Sequence, residues 1–456
     1  MAETPAYRAS GGPASGQTAD PRAAPRDVRL FWWASSADAL GSQTSGIVLP
    51  LLLLSLGYSP AAVGVIASTS AALGIVFGPL AAVPADRGAR KTVMLWSAWA
   101  ASLAMACVAV AVAMGRPPLV LLLCAVLVER FCTAVHDAAA RGTVAMICPP
   151  EGYPRLVARL EVGDRTATVL GPVLGGVLYQ VGRAWPFVAD ALSYAVAAVC
   201  IRFMRADLRV PRAAETGTSA PATNPGAPNG QAGDAVPPGR PRGDRGHPRR
   251  RHTALLEEIG AGLVLVSASA PLRLVLLWTA TVNGTLTALY LGLLFSLRHD
   301  GHGGAAIGLV LAVSGVAGIA GALVAPALAR RLGAARIVLA VTWLLVPLTG
   351  GLAAARSPWT FAVLLGAVCL ILPGATVVLQ SRAIATTPAP LQARAGAVLA
   401  TAAGGAAALG PAAAGLLAAR VGAAGPALGC ATALTALALY TSRIHPRALA
   451  TTGSAS

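Results

Sequence analysis

Long apolar stretches alternate with short polar connections along most of the chain. Each stretch is close to the ~20 residues that a helix needs to cross the hydrocarbon core of a bilayer. Twelve of them occur, in two sets of six, and each predicts a membrane-spanning helix. The first set lies at 30–54, 60–84, 92–114, 118–140, 160–181 and 186–204, and the second at 272–296, 304–328, 336–354, 359–380, 395–418 and 423–442. The pattern therefore predicts an all-α membrane protein of two six-helix bundles.

Polar segments separate and flank the two sets. Residues 205–253 are rich in Pro, Gly and Arg, which predicts a disordered basic linker. Residues 254–270 predict an interfacial helix that leads into the seventh span. We divide the chain into an N-terminal tail (1–27), an N-terminal bundle (28–204), the linker (205–253), a C-terminal bundle (254–445) and a C-terminal tail (446–456).

Composition supports a membrane protein, since 55% of residues are hydrophobic and only 12% are charged. The net charge of +17 comes from basic residues in the connections rather than on an aromatic-rich folded face. That placement excludes nucleic acid as a partner and indicates membrane topology, with both termini in the cytoplasm. The arginines of the linker fit either a topology signal or a surface for anionic membrane lipid. The abundance of Ala, Gly, Pro and Arg is typical of a GC-rich bacterium.

Seven cysteines lie mostly inside apolar stretches, without a CxxC pair. We therefore predict neither a disulfide framework nor a metal site, and no cofactor. The chain also lacks a glycine-rich phosphate loop and a set of residues for nucleophilic catalysis. These patterns predict a protein that is not an enzyme and that draws on an ion gradient.

The two sets of spans resemble each other in sequence. The segment 170–176 (LGPVLGG) recurs at 409–415 (LGPAAAG). Three further residues of the first half recur at one constant offset, so that Gly64, Gly74 and Arg87 match Gly308, Gly318 and Arg331. A repeated six-helix unit predicts two pseudo-symmetric halves with a substrate site where they meet.

The short charged connection between the second and third spans carries Asp86, Arg87, Arg90 and Lys91. It resembles the loop between the second and third helices of the major facilitator superfamily of transporters. That resemblance implies the major facilitator fold and a conformational switch in which Asp86 docks on the start of the eleventh helix, near 393–397. The family's glycines are replaced by Ala82 and Ala89.

Further segments resemble one branch of that superfamily, the bacterial drug and siderophore exporters, including enterobactin-exporter-like and macrolide-efflux-like proteins. The fifth span carries the export-type motif in Gly171, Pro172, Gly175 and Gly176, although Ala167 stands where the branch has another glycine. The segment 186–194 in the sixth span, with Asp190, is similar too, and we expect Asp190 to be structural. The resemblance implies drug:proton antiport.

Proton coupling in a membrane needs a buried carboxyl that can exist both protonated and charged. Asp38, about eight residues into the first span, is our first candidate, and Gln43 lies near it. Glu129 and Arg130 interrupt the fourth span; neighbours on a helix point about 100° apart, so we expect each to need another partner. Arg130 also resembles a fourth-helix arginine that the superfamily links to proton transfer.

Other polar residues predict a gate and substrate contacts. Four of them, at the inner ends of the fourth and fifth spans, form either a salt-bridge cluster or an inner gate: Asp137, Arg141, Asp164 and Arg165. Four others are candidate substrate contacts in the cavity: Gln43, Asn283, Tyr290 and Gln380.

The sequence thus favours a monomeric transporter of the bacterial inner membrane that exchanges protons for an amphipathic antibiotic, drug or siderophore. The first alternative is an importer or facilitator of a small metabolite. A second alternative is a transport-inactive receptor or scaffold that uses the basic linker to recruit a partner.

Overall fold

A computed structural model of the chain describes residues 23–86, 90–115, 117–148, 152–206, 208, 266, 269–387 and 391–448. Within these ranges the chain forms twelve α-helices. They are α1 (Ala23–Ser55), α2 (Pro60–Asp86), α3 (Arg90–Ala113), α4 (Leu119–Ile147), α5 (Tyr153–Val181), α6 (Trp185–Phe203), α7 (Ala270–His299), α8 (Gly304–Leu332), α9 (Ala334–Ala354), α10 (Pro358–Thr386), α11 (Gln392–Val421) and α12 (Gly425–Ala448). Nearly all of the predicted linker, interfacial helix and tails lies outside the described residues.

Each predicted span coincides with one helix, and several helices continue beyond it. Ten of the twelve are long and apolar enough to cross a membrane by length and composition. The two exceptions are α5, which carries Glu161, Asp164 and Arg165, and α12, in which Ala, Thr and Gly are common. Since α5 packs between α1 and α8, it can carry charge without presenting it to lipid.

The two halves pack in the same way. In the N-terminal half α1 lies against α5 and α6, α3 lies against α4 and α6, and α2 lies against α4. In the C-terminal half α7 lies against α11 and α12, α9 lies against α10 and α12, and α8 lies against α10. Each pair of helices in one half has its counterpart in the other. The prediction of an all-α membrane protein with two pseudo-symmetric six-helix bundles is confirmed.

Two helix crossings join the halves, α2 with α11 and α5 with α8. At one crossing the carbonyl oxygen of Pro411 lies against Gly64, and at the other the carbonyl oxygen of Pro172 lies against Gly308. A Cβ atom at either glycine would overlap that oxygen, so only glycine permits this approach. These four residues belong to the repeat found in the sequence, which therefore encodes the two equivalent crossings.

The halves are joined at one end of the molecule and separate at the other. One apolar core contains buried residues of both halves, such as Val48 and Ile307, near the crossings. Towards the end that carries the start of α1, each half has its own core, around Phe31 in the first and Trp278 in the second. We name the joined end the closed side and the other end the open side.

On the open side, the starts of α1 and α3 are fastened to the end of α6. The buried carboxylate of Asp27 accepts hydrogen bonds from the backbone N–H of Arg205 at 3.0 Å and of Ala206 at 2.7 Å. Lys91 Nζ donates to the carbonyl oxygen of Met204 at 2.5 Å. These bonds hold three helices of the N-terminal half together on the open side.

Candidate functional site

A central cavity of about 330 Å³ lies between the halves. Both halves contribute to its wall, which is largely apolar: Ile47, Pro50 and Pro172 from the first, and Leu291, Leu311 and Pro411 from the second. Its polar groups are few and include Gln43, Thr168, Thr287 and Tyr290. A mostly apolar hollow with a few polar groups is the usual form of a small-molecule site.

A second cavity, of about 640 Å³, lies within the N-terminal half on the open side. We name it the N-half cavity. Helices α1, α4 and α5 form its wall, and its ionisable residues are Asp38, His136, Asp137, Arg141 and Asp164. It is therefore the polar counterpart of the central cavity.

Two residues that line both cavities, Gln43 and Thr168, are joined by a hydrogen bond. Gln43 Nε2 donates to Thr168 Oγ1 at 3.2 Å. The close approach of α1 and α5 at this point depends on Gly171, where a Cβ atom would overlap that of Gln43. We name this contact the partition.

Asp38 lies in the wall of the N-half cavity and is only 9% exposed. Its Oδ1 atom has no hydrogen-bond partner among the described residues. A buried carboxyl without a bonded partner is stable when it carries a proton or meets a bound cation. Asp38 therefore has the surroundings that a proton-exchanging group needs.

Glu129 of α4 is buried, and its carboxylate accepts hydrogen bonds from two hydroxyl groups. Its Oε1 accepts hydrogen bonds from Tyr194 at 2.9 Å and from Thr133 at 3.3 Å. Arg130 Nε lies 3.4 Å from Glu129 Oε2, so the two neighbours form an ion pair, and Glu129 also has the further partner that we expect for it. The expected further partner of Glu129 is Tyr194.

Asp190 provides a third buried carboxyl, from α6. It is fully buried, and neither carboxyl oxygen has a hydrogen-bond partner among the described residues. It packs against Gly41 of α1, where a Cβ atom would lie 2.7 Å from its Oδ1. Because Asp38, Glu129 and Asp190 come from α1, α4 and α6, the fold concentrates three buried acids within one half.

Residues 31–383 match the family model of the Major Facilitator Superfamily. The chain belongs to this superfamily. No curated protein matches it in a sequence search. Among solved structures, it resembles a bacterial homologue of the iron transporter ferroportin in an inward-facing state, with a TM-score of 0.68 and 13% identity, covering 93% of this chain and 99% of that one.

Two further structures are similar to this superfamily member. One is a POT family transporter in complex with a thioalcohol-conjugated peptide, with a TM-score of 0.65, 12% identity, and coverage of 93% of this chain and 96% of that one. The other is a bacterial homologue of the human lysosomal transporter Spinster, inward-facing and unoccupied, with a TM-score of 0.62, 14% identity, and coverage of 94% and 98%. At these identities the likeness shows the fold alone, that of a multi-pass membrane transporter.

Three of the four predicted gate residues line the N-half cavity in this superfamily member. Asp137, Arg141 and Asp164 border the cavity, whereas Arg165 pairs with Glu161 of its own helix at 2.8 Å. No ion pair joins α4 to α5 within the described ranges. A gate at this cavity stays a prediction.

The loop that resembles the superfamily's switch is described only in part. Arg87 and the side chain of Asp86 lie outside the described residues, as do the side chains of residues 393 and 394 where Asp86 is predicted to dock. Arg90 Nη1 lies 3.4 Å from Met146 Sδ, and Lys91 binds the end of α6. The described part of the loop thus contacts its own half.

The export-type motif packs α5 on two sides. Gly171 and Gly175 meet the backbone of α1 near Gln43 and Thr44, and Gly176 meets the backbone of Gly304 in α8. The motif therefore lets one helix approach its own half and the opposite half at once.

The predicted substrate contacts divide into two groups. Gln43 and Tyr290 line the central cavity, and the Tyr290 hydroxyl lies 3.8 Å from Cys369 Sγ. Asn283 and Gln380 line neither cavity, and Asn283 Nδ2 donates instead to the Thr279 carbonyl oxygen at 2.8 Å. A role of Asn283 and Gln380 in substrate binding stays a prediction, and their positions outside both cavities do not support it.

Three residues of the site were missed in the sequence: Thr133, Thr168 and Tyr194. Each lies four residues after an acid, at Glu129, Asp164 and Asp190 respectively. Residues four apart share one face of a helix, so a hydroxyl at this spacing is a usable signal of a polar face.

Proposed function

We propose that this superfamily member is a proton-coupled exporter of amphipathic small molecules in the bacterial cytoplasmic membrane. The observation that carries the proposal is Asp38, an unpartnered buried carboxyl in a cavity that shares Gln43 and Thr168 with the central cavity. Basic connections favour both termini in the cytoplasm, so the open side faces the cytoplasm. We further propose that the chain works as a monomer surrounded by lipid.

The central cavity suits an amphipathic substrate. Its wall is apolar over most of its area, and Gln43, Thr287 and Tyr290 supply hydrogen-bonding groups. Cavities that bind drug-sized molecules have volumes of about 300–1,000 Å³, and 330 Å³ lies at the small end of that range. The closed side seals this cavity through the two glycine crossings, so release of substrate there requires the crossings to separate.

The partition supplies the coupling. A substrate that hydrogen-bonds Gln43 withdraws its Nε2 group from Thr168 and joins the two cavities. Asp38 then faces the substrate, and loss of its proton permits the carboxylate to attract a cationic or polar group. Proton and substrate thus compete for one region of α1, as exchange of the two requires.

Transport measured in liposomes tests this proposal. We expect the purified chain to move at least one of three probes, ethidium, tetraphenylphosphonium or erythromycin, when a pH gradient is imposed. Asp38→Asn should lower that rate by on the order of 100-fold, in the range that a positioned acid–base group contributes. Asp300→Asn, on the exposed connection after α7, is the matched control and should retain the rate.

An undiminished pH-driven rate in Asp38→Asn would overturn the role of this carboxyl. Counterflow measured in inverted and in right-side-out vesicles separates export from the alternative of an importer or facilitator. The two kinds of vesicle expose opposite faces of the protein, so they report transport of the probe in opposite directions. A chain without flux of any probe, but with a phenotype lost on deletion of 212–250, favours the receptor or scaffold alternative.

A further inference from the structure

A line of hydroxyl groups connects the N-half cavity to the buried carboxyl of Glu129. Ser42 lies in the wall of the cavity, one helical turn from Asp38. Its Oγ atom lies 2.9 Å from the hydroxyl oxygen of Tyr194, and that hydroxyl lies 2.9 Å from Glu129 Oε1. The line thus passes from α1 through α6 to α4, across the middle of the N-terminal half.

The hydrogen bonds of this line have a definite direction. A carboxylate only accepts, so the single hydrogen of the Tyr194 hydroxyl is donated to Glu129. The Tyr194 oxygen is then free to accept, and Ser42 donates to it. Every hydrogen in the line therefore points from the cavity towards Glu129.

Among the described residues, no second line of hydroxyl groups reaches Glu129 from its other side. The space beyond it is a void of about 40 Å³, lined by Ser45, Arg130, Met105 and Phe187 among others. Tyr194 itself is only 1% exposed, so water reaches the line at Ser42 rather than at the phenol.

We propose that Tyr194 relays protons between the N-half cavity and Glu129. Glu129 is then a second proton-binding carboxyl, and it receives its proton from the same cavity as Asp38. Tyr194 is a positioning and relay residue, and Ser42 is the entrance. The inference rests on the proposed proton coupling only for its use in transport, since the relay itself needs no substrate.

The transfer balances at every atom. A hydronium ion in the cavity gives one proton to Ser42 Oγ while the serine hydrogen moves to Tyr194 Oη. The tyrosine hydrogen moves at the same time to Glu129 Oε1, whose carboxylate becomes a neutral carboxyl. Each hydroxyl ends with one hydrogen, and the hydronium ion ends as water.

Several charged groups surround this line and act on it together. Asp38 faces it from α1, Asp190 faces it from α6 one turn before Tyr194, and Arg130 faces it from α4. Asp190 has no hydrogen-bond partner among the described residues and lies outside the line of hydroxyls. The test must therefore distinguish Glu129 from the other two acids.

Time-resolved infrared spectroscopy of the reconstituted full chain provides the test. The C=O stretching band of a protonated carboxyl that disappears in Glu129→Gln belongs to Glu129. After a rapid drop in pH, we expect Tyr194→Phe to slow the appearance of this band by on the order of tenfold or more, since a positioned proton-transfer group contributes at least that much. The final amplitude should remain, because Thr133, which lines the N-half cavity and donates to Glu129 at 3.3 Å, still gives protons a slower path.

Two further variants make the result specific. Ser42→Ala should slow the band in the same way while Tyr194 stays in place. Tyr179→Phe is the matched control, because the Tyr179 hydroxyl also bonds a serine of α1, Ser55, at 3.3 Å but touches no acid. It should leave the rate unchanged.

Equal rates in the unmodified chain, Tyr194→Phe and Ser42→Ala would overturn the relay. A spectrum without any band that depends on Glu129 would overturn it as well. Neither result affects pH-driven probe transport through Asp38, and a failure of probe transport leaves the infrared result standing. The two proposals therefore fail separately.

Discussion

The two halves of this protein share their packing and differ in their buried chemistry. The crossings of α2 with α11 and of α5 with α8 use the same pairs of residues, a proline carbonyl against a glycine. Yet the N-terminal half buries Asp27 at its open end and three further carboxyls in its interior, at Asp38, Glu129 and Asp190, while the described residues of the C-terminal half bury only hydroxyls among polar side chains.

Most of those C-terminal hydroxyls bond to their own helix. Thr342, Thr349 and Thr441 each donate to the carbonyl oxygen four residues earlier, which satisfies the hydroxyl and leaves nothing to exchange. The comparison teaches that both copies of a duplicated unit can keep the same helix-crossing contacts while only one copy carries the buried acids for proton exchange. Three changes, in order of expected effect, test that division.

The largest effect should come from the glycines at the crossings, and it should be equal in both halves. Gly64→Leu and Gly308→Leu each place a side chain against a carbonyl oxygen. Overpacking of this kind costs about 1–3 kcal/mol, so the ratio of closed to open molecules at this side should fall by roughly 5- to 150-fold. A cysteine at Ile47, in a chain whose native cysteines are replaced by alanine, should then react faster with an impermeant maleimide added from the closed side.

Gly74→Leu is the control for this change, because a Cβ atom there meets nothing within 4 Å. It should label like the parent chain. Labelling that rises for Gly64→Leu but not for Gly308→Leu would show that the two crossings are not equivalent.

A smaller effect should follow from breaking the partition, the hydrogen bond between Gln43 and Thr168. It should change only the movement of protons through the N-terminal half. Thr168→Val removes the acceptor for Gln43, worth about 0.5–1.5 kcal/mol for a typical hydrogen bond. We expect the proton leak without substrate to rise about two- to tenfold, measured with a pH-sensitive dye inside liposomes.

Thr166→Val is the matched control for this second change. Thr166 makes the same bond to its own helix as Thr168 but does not bind Gln43. A leak that rises equally in both variants would assign the effect to α5 itself and not to the partition.

The smallest effect should come from the C-terminal half, at Tyr290. Tyr290→Phe removes a hydroxyl that faces the central cavity and lies 3.8 Å from Cys369 Sγ. Loss of one weak hydrogen bond should raise KM for a transported probe about two- to fivefold, with the pH profile of kcat unchanged. Tyr440→Phe, away from the cavity, is the control; a shifted pH profile in Tyr290→Phe would place coupling chemistry in both halves.

The sequence predicts the helices and the repeat of the two halves well because both depend on local composition. Span length follows from hydrophobic runs, and the repeated glycines mark the close approaches directly. The site is harder, because the face that a residue presents within a bundle depends on helix rotation. Asp190, for which the sequence predicts a structural role, packs beside Gly41 near the other acids, and that role stays a prediction. Tyr194 was missed because its partners, Ser42 and Glu129, lie on two other helices.

The bonds of Asp27 have a consequence for biosynthesis. This carboxylate, at the start of the first helix, is satisfied by backbone groups at 205 and 206, just after the sixth. Domains generally fold as units in the order in which the ribosome makes them. The first helix can therefore form these bonds only after residue 206 has been made, and the N-terminal half can then close before the C-terminal half exists. Inheritance of one six-helix unit in two copies thus also gives the chain a natural stopping point in its own assembly.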